Sequence, residues 1–361
     1  MKQTTVVHVT EALGGGVRSA LVNYTSALPE YKHIVVARER SGQSTYEWPD
    51  NVKIKLVNSG LLGFLKAALI AINEEMPDVV HLHSSHAGVL RLILKRGCAI
   101  VYSPHCFATE REDISSPVRL GISLIEKMLS ARLQVLAAVS PNEAILAYRL
   151  NNKANVVLVP NPPPIQVSSV TRKFKVARVV MVGRVCPQKG PDIFADAARL
   201  AKQKGYPEKF LWIGDGDSRA VNELRASGVN VTGWLDPADA LQLLADSELY
   251  VHTARWEGAP ISTIEAAGLG VPVISRRISS MVSLRYETFG TTADQLVASV
   301  RRYFDEETFR ESVKMKTQDV VRVNSASAMT YALKDAYQRA TRRSASKTNA
   351  KSPRSIGSGS L

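Results

Sequence analysis

Twice along this chain, short runs rich in β-branched residues alternate with segments of helical spacing, and a proline-rich break separates the two series. The first series holds "TVVHV", "HIVVA", "VKIKLV", "DVVHLH", "AIVYS" and "VLAAVS", with helical stretches such as "VRSALVNYTSAL" and "GFLKAALIAINEEM" between them. Strands alternating with helices point to βαβ units, because a parallel neighbour is reached only by a crossover that covers one face of the sheet. "VLVPNPPPIQVSSVTRKFK" interrupts the pattern with four prolines and a polar stretch, and reads as a linker. A second series runs through "ARVVMVGRV", "FLWIGDG", "VNVTGW", "ELYVHTA" and "VPVIS". The 361 residues suffice for two domains with separate cores.

The expected class is therefore α/β: two Rossmann-like, doubly wound domains that face a central cleft. The first is expected over residues 1–163, a linker over 164–176 and the second over 177–324. "SASAMTYALKDAYQRATRR" gives a helix over 325–341 that docks on one half, expected to be the first. In such sheets ligands bind outside the strand C-termini, so the loops after the strands are where chemistry is sought.

Charge asks for a partner. The net charge is +13, but six basic residues and no acid follow Asp335: Arg339, Arg342, Arg343, Lys347, Lys351 and Arg354. Residues 342–361 read as a disordered basic tail that solubilises the chain or touches an anionic membrane surface. A nucleic-acid role would rest on that tail alone, and no nucleic-acid partner is expected. The start "MKQTTVVHVT" reads as a first strand, and no apolar run reaches the ~18–20 residues of a membrane span. Cys98, Cys106 and Cys186 are scattered and odd in number, which suits a reducing cytosol and gives no metal spacing.

Six stretches carry candidate chemistry. "HVTEALGGGVRSAL" puts Gly15 and Gly16 between the first strand and the first helix, as a ligand approach or simply a tight turn. "MVGRVCPQKG" places Arg184 and Lys189 in a loop between Gly183 and Gly190; a fork and a point charge suit a diphosphate, though two surface bases beside a turn would look the same. Asp215 and Asp217 in "WIGDGDSRAV" form D-x-D but fit a strand-ending turn and a helix cap better than a metal site. His81, His83 and His86 cluster in "VVHLHSSHAG" without the matching helical pair of a zinc site, and His105 in "YSPHCFATERED" is the better chemical candidate.

The sixth stretch is "RWEGAPISTIEAAGLGVPVIS". Pro260 suits a helix start, so Glu257 and Gly258 lie in the loop before it. The free N–H groups around Ala259, Ile261 and Ser262 can hold an anion, with Glu265 about a turn further in. Two carboxylates flanking a phosphate site suit sugar hydroxyls on one side and a ribose on the other. An ordinary amphipathic helix does not account for the E-G-x-P order.

Together, "GRVCPQKG", "IGDGD", "GW" and "EGAPISTIE" resemble the second-domain signature of family 4 retaining glycosyltransferases of the GT-B fold, and the likeness extends over nearly the whole ordered chain. The resemblance implies sugar transfer from a UDP-, GDP- or ADP-sugar with retention, no cofactor and no metal, the first domain taking the acceptor and the second the donor. It implies that Arg184 and Lys189 hold the diphosphate, Glu257 the donor sugar with the N–H groups of residues 258–262, and Glu265 the ribose. Gly15 and Gly16 would admit the phosphates. His105 would meet the transferred sugar near its 6-position and the developing charge. A front-face substitution needs no protein nucleophile, and none is assigned.

Departures from that pattern are specific. Ala259 replaces a larger apolar residue, Gln188 and Arg18 replace acids, and "SRRISSMVSLRYETFG" lacks the usual Gly-Gly turn and D-G-x-x-G loop. These leave room for a non-catalytic nucleotide-sugar-binding relative, and a sugar-nucleotide epimerase would need acid–base carboxylates not evident here. The acceptor is expected to be a glycan or a lipid-linked glycan in cell-envelope or exopolysaccharide assembly. The expected location is cytoplasmic, on the inner face of the plasma membrane if peripheral. "VRLGISLIEKMLSARL", carrying Arg119, Lys127 and Arg132, reads as a core helix, with a membrane interface as the other reading.

Overall fold

In the computed structural model, residues 3–11, 13–38, 48–95, 97–163, 170 and 176–349 are described. Seven strands make the first sheet: β1 (Thr5–Thr10), β2 (Lys32–Arg38), β3 (Val52–Val57), β4 (Val79–His83), β5 (Ile100–Ser103), β6 (Val135–Ala138) and β7 (Val156–Leu158). Their order is β3-β2-β1-β4-β5-β6-β7, and every pairing is parallel. Six strands make the second: β8 (Val176–Val182), β9 (Lys209–Ile213), β10 (Asn230–Val231), β11 (Ser247–His252), β12 (Val273–Arg276) and β13 (Glu287–Gly290), in the order β10-β9-β8-β11-β12-β13. In each sheet the order reverses beside its first strand, between β1 and β4 and between β8 and β11. Loops leaving those strand ends part to opposite faces and open a crevice.

Parallel strands are covered on both faces, so their residues are continuously apolar. Leu249, Tyr250 and Val251 of β11 are fully buried, as are Val6, Val7 and Val9 of β1. Phe194 packs edge-on against Phe210 and Trp212 to join helix Pro191–Gln203 to the second sheet.

The final helix, Ala326–Asn349, packs on the first sheet and buries Met329, Ala332, Leu333, Ala336, Tyr337 and Ala340, a stripe of helical period. Tyr337 Oη lies 3.0 Å from His81 Nδ1 inside that sheet's cover. The sequence ends this helix at 341, yet it continues to Asn349. "TRRSASKTN" holds no glycine or proline to stop it, so the helix runs on where a tail was expected. The rest of the expected tail, 350–361, lies outside the described residues, as does most of the linker; Val176, counted with the linker, already belongs to β8.

Helix Ser116–Ser130 departs from its reading as a core helix. Only Glu126 and Leu129 are buried, while Val118, Leu120, Leu124, Ile125 and Met128 are exposed. Among the described residues no helix is long and apolar enough to cross a membrane.

Candidate donor site at the facing strand ends

The loop after β8 and the loop after β11 meet at the second sheet's switch point. Gly190 closes the first at φ +65°, and a Cβ there would stand 2.3 Å from the Thr253 carbonyl oxygen, so only glycine lets the two loops touch. Thr253 Oγ1 donates to the Lys189 carbonyl at 2.7 Å and locks the approach. Across this junction Lys189 Nζ donates to Glu257 Oε1 at 2.6 Å, with both side chains largely shielded from water. A charge-assisted contact this short in a poorly hydrated crevice is strong, and it is also labile to a ligand carrying its own charge. Arg184, five residues earlier, is exposed and makes no ion pair among the described residues. The structure thus separates the two cations: one is held by an acid and one is open.

His252, at the end of β11, lies beneath this pair with Nε2 3.8 Å from Glu257 Oε1. Burial, then the Lys189 charge, holds its pKa well below the usual histidine range, so it is neutral and the contact is no ion pair. Its Nδ1 meets Tyr250 Oη at 3.2 Å, and that hydroxyl also lies 2.9 Å from Ser262 Oγ.

Helix Ile261–Gly268 begins one residue later than expected, with Pro260 at its N-cap. Ala259, Pro260 and Ile261 are buried. Ala259 gives its carbonyl to Asn161 Nδ2 at 3.2 Å, a bond that joins the two halves. Glu265, on the same helix, has no side-chain hydrogen bond among the described residues. Burial raises its pKa to about 7, with the Lys189 charge opposing. A partly buried carboxylate with its acceptor sites free is suited to hydroxyl donors.

The first half brings two loops to the same place. A Cβ on Gly16 would lie 3.3 Å from Ile261 Cγ1, so the glycine turn after β1 faces the start of the Glu265 helix; Gly15 beside it has φ +54°. The loop after β5 contains His105 at φ +53° and Cys106 at φ +110°. Non-glycine residues in that region cost ~1–3 kcal/mol each and persist where the surroundings hold them. Glu143 is what holds these. Its Oε1 accepts from Cys106 N at 2.6 Å and its Oε2 from Val139 N at 2.9 Å. Burial still outweighs both bonds and lifts its pKa to about 7. Gly258 packs on this strained turn: a Cβ there would be 2.8 Å from Cys106 N, from Glu143 Oε1 and from the His105 carbonyl carbon.

The expected residues therefore converge as Gly15, Gly16, His105, Lys189, Glu257, Gly258, Ala259, Pro260, Ile261, Ser262 and Glu265, with Gly183 at φ +145° against the Lys189 stem. Asp215 and Asp217 serve the scaffold. Asp217 caps helix Ser218–Ala226 through Ala220 N at 2.9 Å, and Asp215 accepts from Gly216 N at 2.8 Å. The divergent "SRRISSMVSLRYETFG" folds as a short helix, Ser279–Ser283, followed by β13. Its Ser283 Oγ accepts from Asn142 N at 3.2 Å, so the segment joins the two halves where a glycine turn is usual. Glu143 and His252 escape sequence reading. "SPNE" reads as a capping box, and Ser140 does accept from Glu143 N at 3.4 Å, but the Glu143 carboxylate is spent on the His105 loop.

Residues 15–162 match the family model described as "Glycosyl transferase 4-like domain", and residues 176–302 match "Glycosyl transferases group 1". The chain is 25% identical over 315 residues to the UDP-Gal:alpha-D-GlcNAc-diphosphoundecaprenol alpha-1,3-galactosyltransferase of Escherichia coli, covering 76% of this chain and 79% of that protein. It is 25% identical over 301 residues to an uncharacterized 41.2 kDa protein in the cps region of Klebsiella pneumoniae, covering 76% and 82%. Among solved structures, Anabaena Alr3699/HepE in complex with UDP and glucose superposes with a TM-score of 0.69 at 14% identity, covering 93% of this chain and 100% of that one. WaaG, a glycosyltransferase involved in lipopolysaccharide biosynthesis, superposes at 0.68 and 13%, covering 92% and 98%.

Proposed function

Because this chain belongs to the group 1 glycosyltransferases and has the GT-B fold, we propose that it transfers a sugar, with retention, from a nucleotide-diphosphate sugar to a lipid-linked glycan of a cell-envelope or exported polysaccharide. The observation that carries this reading is the Lys189–Glu257 pair at the meeting of the β8 and β11 loops. In the proposal the donor diphosphate takes Lys189 and the open Arg184, whose charges meet the negative charge that grows on the departing phosphate. Glu257, released from Lys189, accepts from hydroxyls of the sugar, and the N–H groups of residues 258–262 face the phosphates. Glu265 accepts from the ribose, while Gly15, Gly16 and Gly183 keep the walls low enough for the diphosphate to enter. The acceptor hydroxyl attacks on the face from which the phosphate leaves; these roles use no protein nucleophile and no metal.

A UDP-sugar is the proposed donor, in keeping with the UDP-Gal named for the Escherichia coli relative and the UDP in the Anabaena complex. The apolar residues exposed along helix Ser116–Ser130, with Lys127 beside them, are proposed to rest on an anionic membrane surface on the cytoplasmic side and meet the lipid-linked acceptor there. The test is a panel of UDP-, GDP- and ADP-sugars offered with an undecaprenyl-diphosphate-linked sugar in anionic and in neutral vesicles. Transfer from UDP-sugars, faster on anionic vesicles, with the donor's anomeric configuration kept in the product by NMR, is expected. Donor binding without transfer across the whole panel would replace the enzyme with a nucleotide-sugar-binding subunit.

Glu265 gives this reading a pH signature. Its folded-state pKa of about 7 stands above the usual 4.5. By linkage its contribution to stability is complete below pH ~4.5 and lost as pH rises through ~7. Donor binding to the ionised form runs the other way. Affinity for a UDP-sugar should rise up to about tenfold per pH unit below ~7 and level off above it, and Glu265→Gln should flatten the profile. Calorimetry between about pH 5.5 and 8 decides; a pH-independent affinity in the native protein removes Glu265 from the ribose.

A further inference from the structure

Four histidines run in one hydrogen-bonded line from the core of the first sheet to the site. His33 Nε2 lies 3.1 Å from the Leu28 carbonyl oxygen, His33 Nδ1 lies 3.0 Å from His8 Nε2, and His8 Nδ1 lies 3.1 Å from His83 Nε2. His83 Nδ1 lies 2.9 Å from His105 Nε2. His8, His33 and His83 are fully buried, and burial lowers the pKa of all four, that of His105 to about 4. Each ring is then neutral, with one N–H and one lone pair.

The carbonyl at the far end fixes the direction of every bond. An oxygen of that kind only accepts, so His33 donates from Nε2 and accepts at Nδ1. His8 must therefore donate from Nε2, which leaves its Nδ1 to accept from His83 Nε2–H. His83 Nδ1 in turn accepts from His105 Nε2–H. His105 is left with a bare Nδ1, which has no hydrogen bond among the described residues. One backbone oxygen, four rings away, thus sets the tautomer of the site histidine.

We infer that His33, His8 and His83 are positioning residues that hold His105 as the Nε2–H tautomer, with its Nδ1 lone pair kept for a hydroxyl of the donor sugar. The second clause rests on the transferase reading above; the first does not. The arrangement makes His105 an acceptor and bars it from acting as an acid, since its one proton is committed to His83. A metal is the competing use of these rings, because His8, His81 and His83 lie close enough together to hold one. All six of their nitrogens are already engaged, His81 with Tyr337 Oη and Ser103 Oγ, and binding an ion would break bonds on each ring.

Long-range proton–nitrogen NMR of the full chain, labelled at histidine, reads the tautomers directly. At pH 7 the four rings should each show a single proton, on Nε2. His33→Leu removes the terminal donor, so His8, His83 and His105 should become tautomer mixtures. Its kcat for transfer from UDP-galactose should fall about tenfold, the worth of one hydrogen bond, with KM within about twofold. His33→Gln, whose amide can accept from His8 and donate to Leu28, should restore both. An Nδ1–H or a charged ring at His8, His83 or His105 in the native protein overturns the proposal, as does a His33→Leu protein that loses turnover while His105 keeps its tautomer. The native spectrum needs no variant, so a substitution that fails to fold does not shield the idea. Four Nε2–H rings in a protein that turns over no nucleotide-sugar would leave the chain standing and sink the transferase reading instead.

Discussion

Lys189→Ala should lower kcat/KM for sugar transfer by about 10²–10³-fold, the range found when one preorganised electrostatic group is removed from a reacting centre. The loss has two parts. Lys189 is the shielded cation of the site, and Arg184, exposed on the same loop, lacks the fixed geometry to replace it. The alanine protein also strands Glu257, which among the described residues would keep only the neutral His252 at 3.8 Å. A further consequence separates this variant from a general loss of structure. The Lys189 charge pulls the Glu265 pKa down, so removing it should move the pH midpoint of donor binding above ~7. Lys189→Arg should keep that midpoint near its native position. Steady-state kinetics with calorimetry across pH would settle the matter, and a loss smaller than tenfold would take Lys189 out of the chemistry.

Gly258→Ala is the second large effect, and it works through space alone. The added methyl would stand 2.8 Å from three atoms of the opposite half, two of them backbone atoms of the His105–Cys106 turn. Backbone already held at φ +53° and +110° has little freedom to retreat. The two halves would have to separate by a fraction of an ångström or the turn would have to give way. Misplacement on that scale costs about 10²-fold in rate. Each sheet keeps its own core, so the thermal midpoint should change by only a few degrees. A protein as active as the native one, or one that unfolds wholesale, would refute this account of the contact.

Much of this was legible because two periodicities were. Continuous apolar strands and amphipathic helices alternate without ambiguity, and the residues after β8 and β11 are glycine, proline and charge, so the switch-point loops announced themselves. What stayed hidden depends on register and on distance. His8 stands beside His81 because β1 pairs with β4, strands about seventy residues apart, and no turn dictates the register of a parallel pair. His33 joins the line because β2 lies on the other side of β1. The sequence shows four scattered histidines, and only the sheet makes a line of them. Glu143 was hidden for another reason: a capping box accounts for it fully, so nothing signalled a second use of its carboxylate. The short helix at Ser279–Ser283 was marked as a departure, but its contact with Asn142 lies in the other half of the chain.

The return of helix Ala326–Asn349 to the first sheet bears on how the protein is made. Val101, Val135 and Ala137 share a core cluster with Leu333 and Tyr337, residues synthesised about two hundred positions later or more. At about 5–20 residues per second the ribosome needs on the order of ten seconds or more to cover that interval. Once β7 has followed, the N-terminal sheet has all its strands, and the part of its apolar face that this helix covers stays open while the second domain assembles beside it. The first domain to emerge is therefore the last to be completed. In the nascent chain, that open face is the surface that chaperones and misassembly compete for.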